Sequence, residues 1–99
     1  MAEVRAAGND RIEVAGDLLF GDAVAARDAG RALIAGMSVP EVTVSLAALG
    51  RVSSVSAVVL VEWQRCVAAT GKQLKVVDVP PKLAGILRLS GLEELLPTG

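Results

Sequence analysis

Glu41-Val42-Thr43-Val44-Ser45-Leu46 and, a few residues later, Ser53-Ser54-Val55-Ser56-Ala57-Val58-Val59-Leu60-Val61-Glu62-Trp63 decide the fold of this chain. In the first run Val42, Val44 and Leu46 alternate with polar neighbours, the period of a strand with one buried face. Pro40 bounds it, and Ala47 to Val52 reads as the loop leaving it. The second run drops that alternation. On a helical wheel of Val55 to Thr70, Ser56, Val59, Leu60, Trp63 and Val67 share one face, with Cys66 beside them. Ser53 or Ser54 can cap this helix by accepting free amide hydrogens of its first turn, and Gly71 suits its end. A strand leading into a helix of this length implies a crossover to a parallel neighbour.

Toward the C-terminus, Leu74-Lys75-Val76-Val77-Asp78-Val79 supplies another strand, which Pro80-Pro81 prevents from continuing as a central one. Pro81 fits the first turn of a helix running to about Ser90, where a missing amide hydrogen is harmless. Gly91 interrupts it, and Leu92 to Leu96 is expected to form a final short turn. Toward the N-terminus, Asp22 is placed to cap a helix through Ala35, closed by Gly36. Its packing side is expected to carry Ala25, Ala26, Ala29, Ala32 and Leu33, with Arg27 and Arg31 turned away. Ile12 and Val14 alternate with Arg11 and Glu13 as a strand. Gly16-Asp17 reads as a turn, and Leu18 to Phe20 as a brief second strand that Gly21 breaks. The expected architecture is α/β, a mixed β-sheet packed against helices in the order β-β-α-β-α-β-α. It forms one domain over residues 11–99, behind a flexible lead-in at residues 1–10.

A chain of 99 residues supports one hydrophobic core. Hydrophobic residues make up 53% of it, yet Trp63 and Phe20 are its only aromatics, so Val, Leu, Ile and Ala must fill the interior. Ten basic and eleven acidic residues leave a formal charge of −1 with no dense block of either sign. A phosphate-tracking surface needs clustered Lys and Arg, so no nucleic acid is expected. Cys66 stands alone, which rules out an intrachain disulfide and suits a reducing, cytoplasmic setting. No apolar run approaches the roughly 20 residues that cross a bilayer, so direct membrane insertion is not expected.

Catalysis has little to work with. Histidine is absent, and with it the side chain that titrates near neutrality. Asp10, Glu13, Asp17, Asp22 and Asp28 fall on turns or apparent solvent faces. Gly16, Gly21 and Gly36 lack the spacing of a phosphate loop, and Cys66 suits a small apolar role on its helix. No catalytic residue, cofactor or metal site is expected.

What remains unusual is the outer side of the second helix. Ser54, Val58, Val61 and Arg65 occupy it, with Ala57 at its edge, so it is apolar until Arg65. A surface helix ordinarily turns polar residues outward. Either a neighbouring helix of the same domain or another protein covers Val58 and Val61. Ser53 and Ser54 fit both a capping role and a phosphoacceptor role, because a helix start favours hydroxyl oxygens and phosphate alike. A phosphate on Ser54 would bring nearly two negative charges to the edge of that face.

The run Arg51-Val52-Ser53-Ser54-Val55-Ser56-Ala57-Val58-Val59-Leu60, after Val42-Thr43-Val44-Ser45-Leu46 and before Thr70-Gly71-Lys72-Gln73-Leu74-Lys75-Val76, resembles the STAS domain family. This is the sulfate-transporter and anti-sigma-factor-antagonist fold. The likeness spans about Arg11 to Leu96 and includes Leu87-Arg88-Leu89-Ser90-Gly91-Leu92. The family's usual motif reads aspartate, serine or threonine, any small residue, glycine, leucine. Here Ser53 stands at the aspartate, Ser54 at the phosphoacceptor, Ser56 at the glycine and Ala57 at the leucine, so only the Ser54 hydroxyl is kept in kind. The pattern from Ile12 to Leu33 is most similar to the small STAS subunit of the bacterial Mla phospholipid transport systems. That resemblance implies a cytoplasmic accessory protein docked on the ATPase of an inner-membrane ABC transporter, bound in turn to its permease, in lipid traffic that maintains outer-membrane asymmetry. It places the hydroxyl corresponding to Ser54 at the ATPase contact. The wider family implies an alternative partner, an anti-sigma kinase.

Overall fold

The computed structural model describes residues 1–93. Among them, strands β1 (Ala2–Ala6), β2 (Arg11–Leu18), β3 (Glu41–Val52) and β4 (Gln73–Val77) form one sheet in the order β1-β2-β3-β4. Helices α1 (Ala23–Ala35), α2 (Ser54–Ala68) and α3 (Pro81–Leu89) connect or follow them, and a short 3₁₀ turn, Phe20–Asp22, precedes α1. β1 runs antiparallel to β2, while β2–β3 and β3–β4 are parallel. The mixed sheet and the order β-β-α-β-α-β-α are as the sequence implies, but two different segments fill the first two places.

Residues 1–10 are not a loose lead-in throughout. Ala2–Ala6 forms the edge strand β1, with Val4 opposite Val14 and Arg5 opposite Glu13. Ala2 and Val4 pack against the core cluster while Glu3 and Arg5 face out. So short an alternation of small residues gains its stability only from the partner strand. The expected strand at Arg11–Val14 runs on to Leu18 as the single strand β2, and the second strand expected at Leu18–Phe20 gives way beyond Leu18 to the 3₁₀ turn. Gly16-Asp17 does not turn the chain; the strand runs through it, and at the register shifts Glu13/Ala15 and Gly16/Leu18 the extra residue of each bulge lies in the neighbouring β3. Gly16 has φ +81°, and a side chain there would collide with the Met1 carbonyl. Leu92–Leu96, expected as a final turn, lies mostly outside the described residues.

β3 outlasts its expected end by six residues. Because β2 continues beside it, Ala48, Leu49 and Val52 find partners in Ala15, Gly16 and Leu18. Asp17 fastens the pair: its Oδ1 accepts the Arg51 N–H at 2.8 Å, and any residue larger than Gly50 would press on that carboxylate. Ala47–Val52 is therefore strand and not loop.

One face of the sheet is dry. Ile12, Val14, Val42, Val44, Leu74 and Val76 are buried there, covered by Ile34, Leu60, Trp63 and Leu83 of the helices. Each such side chain contributes about 1.5–3 kcal/mol on burial. The opposite face carries half-exposed Glu13, Thr43 and Lys75. Ser45 is buried on that side and donates to Asp78 Oδ2 at 3.3 Å.

α1 packs through a narrower seam than its alanines suggest. Ala26, Gly30 and Ile34 are buried, whereas Ala25 and Ala32 are exposed. The reason is Trp63: its indole lies against Gly30 where any β-carbon would overlap the ring, and its Nε1–H donates to the Arg27 carbonyl at 3.1 Å. Helix α1 thus approaches α2 along the i, i+4 row that Gly30 opens.

A candidate partner-binding face at the start of α2

Ser53 is the N-cap of α2, in extended conformation at φ −146° and ψ −176°. Its Oγ accepts the Val55 N–H at 3.2 Å. Ser56 completes a reciprocal capping box by accepting the Ser53 N–H at 3.1 Å. The buried Ser56 hydroxyl also donates to the Leu18 carbonyl at 2.6 Å, tying the helix start to the end of β2. Ser54 is left exposed at the first helical position, and among the described residues its hydroxyl makes no hydrogen bond.

The remaining expected contact residues separate. Val58 is 56% exposed, so among the described residues no helix covers it. Val61 is half-buried and packs against the core cluster. Ala57, only 2% exposed, belongs to the core cluster at the border of the apolar arc of the wheel. Arg65 is exposed and pairs with Glu62 at 3.6 Å. The structure thus brings Ser54, Val58 and Arg65 together on one open ridge, with Val61 at its margin and Ala57 beneath.

Two further apolar residues are exposed where the sequence reading did not place them, and one of them, Val24, lies beside Val58. Phe20 is 84% exposed in the 3₁₀ turn, and Val24 is 63% exposed in the first turn of α1. Val24, Val58, Ala23, Val59, Arg27 and Glu62 line a shallow groove of about 170 Å³ between α1 and α2. Val24 lies off the Ala26–Gly30–Ile34 row, so a correct wheel for α1 would have exposed it. Phe20, read as strand, gave no comparable signal. The rim charges are matched locally: Arg27 Nε meets Asp28 Oδ1 at 3.1 Å, as Arg65 meets Glu62. Exposed pairs of this kind contribute about 0–1 kcal/mol, so the groove floor, not its rim, dominates the surface.

Asp22 caps α1 without a side-chain bond to that helix. Its Oδ2 instead accepts the Leu19 N–H at 3.1 Å, closing the 3₁₀ turn on which Phe20 sits. That bond, above all, holds its carboxyl below the usual value of 3.8. Nothing in the ridge suits bond-making chemistry. Among the described residues no group of three or more His, Cys, Asp or Glu is disposed to hold a metal, and no helix is long and apolar enough to cross a membrane. An exposed apolar ridge beside an unengaged hydroxyl suits contact with another macromolecule.

Residues 1–97 match the family model described as Mlab, STAS domain. No curated protein matches the chain. Among solved structures, one similar chain belongs to the Acinetobacter MlaFEDB complex in its ATP-bound Vtrans2 conformation. It is 27% identical, with a TM-score of 0.80 over 92% of this chain and 95% of that one. An anti-sigma factor antagonist from Mycobacterium paratuberculosis is 24% identical, with a TM-score of 0.72 over 99% and 83%. The phosphorylated form of the Bacillus cell fate determinant SpoIIAA is 14% identical, with a TM-score of 0.69 over 100% and 91%. The last two likenesses are of fold alone.

Proposed function

The chain belongs to the STAS domain family, whose members are non-catalytic regulatory and protein-interaction modules, and from that premise we propose that it is an accessory subunit of a phospholipid ABC transporter. In this reading it docks on the transporter's ATPase at the cytoplasmic side of an inner membrane. There it stabilises or regulates the ATPase–permease assembly that maintains outer-membrane lipid asymmetry. The observation that carries the reading is the exposed pair Val24 and Val58, which line one groove on the outer side of α1 and α2, with Ser54 exposed one turn before Val58. The likeness to a chain of the Acinetobacter MlaFEDB complex over nearly the full length of both supports the choice of partner.

The test is co-purification with the cognate ATPase. Val24→Glu and Val58→Glu each place a charge on an exposed position and are expected to abolish capture while leaving the fold intact. Capture at the wild-type level by both variants would remove the ridge from the interface. Val61→Glu is a poorer probe, because Val61 also packs against the core.

A second reading rests on the exposed Ser54 hydroxyl, which is open to a kinase. In that reading the chain is an anti-sigma factor antagonist, and phosphate on Ser54 releases its partner by charge and desolvation. Stoichiometric modification at Ser54 by a cognate anti-sigma kinase, seen by intact mass, would support it. An unmodified chain in the reconstituted pair would sink it. Ser53, at the position of the family's aspartate, counts against this reading.

A further inference from the structure

The Phe20 turn has no side-chain anchor in the core, because Phe20 itself is 84% exposed. Its position is set by what flanks it, the buried Leu18 before it and Asp22 at its end, whose Oδ1 lies 3.5 Å from the Met1 amino group. β2 ends at Leu18, and the Leu18 carbonyl is held by the Ser56 hydroxyl at 2.6 Å. The next amide, Leu19 N–H, is held by Asp22 Oδ2, and the Asp22 N–H returns to the Leu19 carbonyl at 2.9 Å. One residue before Leu18, Asp17 holds the Arg51 N–H of the strand that leads into α2. Ser56 is fully buried and is the side chain of α2 that joins this chain of bonds to the helix start, since its oxygen also accepts the Ser53 N–H. A residue without a hydroxyl at position 56 would leave both the Leu18 carbonyl and the Ser53 amide without these partners.

We propose that Ser56 is a positioning residue that registers the Phe20 turn against the start of α2, so that Phe20, Val24, Ser54 and Val58 present one preformed surface. The consequence for partner binding rests on the docking reading above; the coupling itself is a property of the free chain. A turn and a helix start that moved independently would have to be ordered on contact, and preorganisation removes that loss.

Amide exchange on the free, full-length chain decides the coupling. In Ser56→Ala, the Leu19 and Asp22 amides are expected to exchange at least tenfold faster relative to Val44 and Val76 of the sheet. Ser53→Ala loosens the helix cap but keeps the Ser56–Leu18 bond, and it should leave Leu19 and Asp22 at the wild-type ratio. If the alanine variant does not fold, Ser56→Cys keeps the volume, weakens both bonds and should show the same local pattern. Leu19 and Asp22 rates that change no more than those of Val44 and Val76 overturn the proposal. Affinity for the purified ATPase subunit provides the second arm: a tenfold loss is expected for Ser56→Ala, against none for Leu83→Ala, a core change on α3. Equal affinity of Ser56→Ala and wild type overturns the positioning role in docking. A wild-type chain that fails to bind the ATPase overturns the docking reading instead, and the exchange ratios then decide the coupling alone.

Discussion

At the start of α2 two adjacent serines have different work. Ser53 satisfies a first-turn amide, whereas Ser54 makes no hydrogen bond among the described residues. Ser53→Ala is therefore expected to lower stability by about 1 kcal/mol, the usual loss for an N-cap hydroxyl. Ser54→Ala should stay within about 0.5 kcal/mol of wild type, as exposed substitutions do. Urea midpoints of the two variants check this directly, and equal losses would mean that the cap is shared. Asp22 has a pH signature. Its folded pKa is depressed, so the stability it contributes is present above the ordinary value of 3.8 and is lost as pH falls through the depressed one. A carboxyl titration followed by NMR should place its midpoint below 3.8, and Asp22→Asn should flatten that part of the acid limb.

Between elements, the contact of α1 with α2 turns on Gly30. Replacing a glycine inside a helix by alanine ordinarily gains about 1 kcal/mol of helix propensity. Here the added methyl group would overlap the fully buried Trp63 ring, and overpacking of a filled core costs about 1–3 kcal/mol. The second effect is the larger, so Gly30→Ala should lower the thermal midpoint and perturb Trp63 fluorescence. A rise in the midpoint would show that the ring can shift. The same comparison explains why propensity misled the reading of α1. Its alanines are good helix formers on every side, so their positions do not mark the seam, and the glycine that does mark it looks like a weakness in an isolated sequence.

Across the whole molecule, exposure divides α2 into two halves with opposite responses to charge. Val58→Glu should leave the urea midpoint within about 0.5 kcal/mol of wild type, because Val58 is open to solvent. Val59→Glu, one residue on and buried in the core, would bury an unpaired carboxylate and is expected to unfold the chain. The emission of Trp63, the chain's single tryptophan, separates the outcomes, since its ring is shielded only in the folded state. The dry sheet face and the open ridge lie on opposite sides of α2, so a charge on the ridge can disrupt a partner without reaching the core.

Alternation at Val42, Val44 and Leu46 and the apolar face from Ser56 to Val67 determined the strand, the helix and the α/β order, because period and burial are local consequences of side-chain direction. The same local signal identified Ser54 and Val58 as outward. It could not assign Ala2–Ala6 to a strand, extend β3 to Val52 or merge the two halves of β2, because each depends on a neighbouring strand that supplies hydrogen bonds from far along the chain. Nor could it withdraw Ala57 from the ridge or set Val24, which a correct wheel turns outward, beside Val58. Those assignments follow from how α1 settles on Trp63 and how Ser56 holds Leu18, contacts between residues 33 and 38 positions apart that only the tertiary structure brings together.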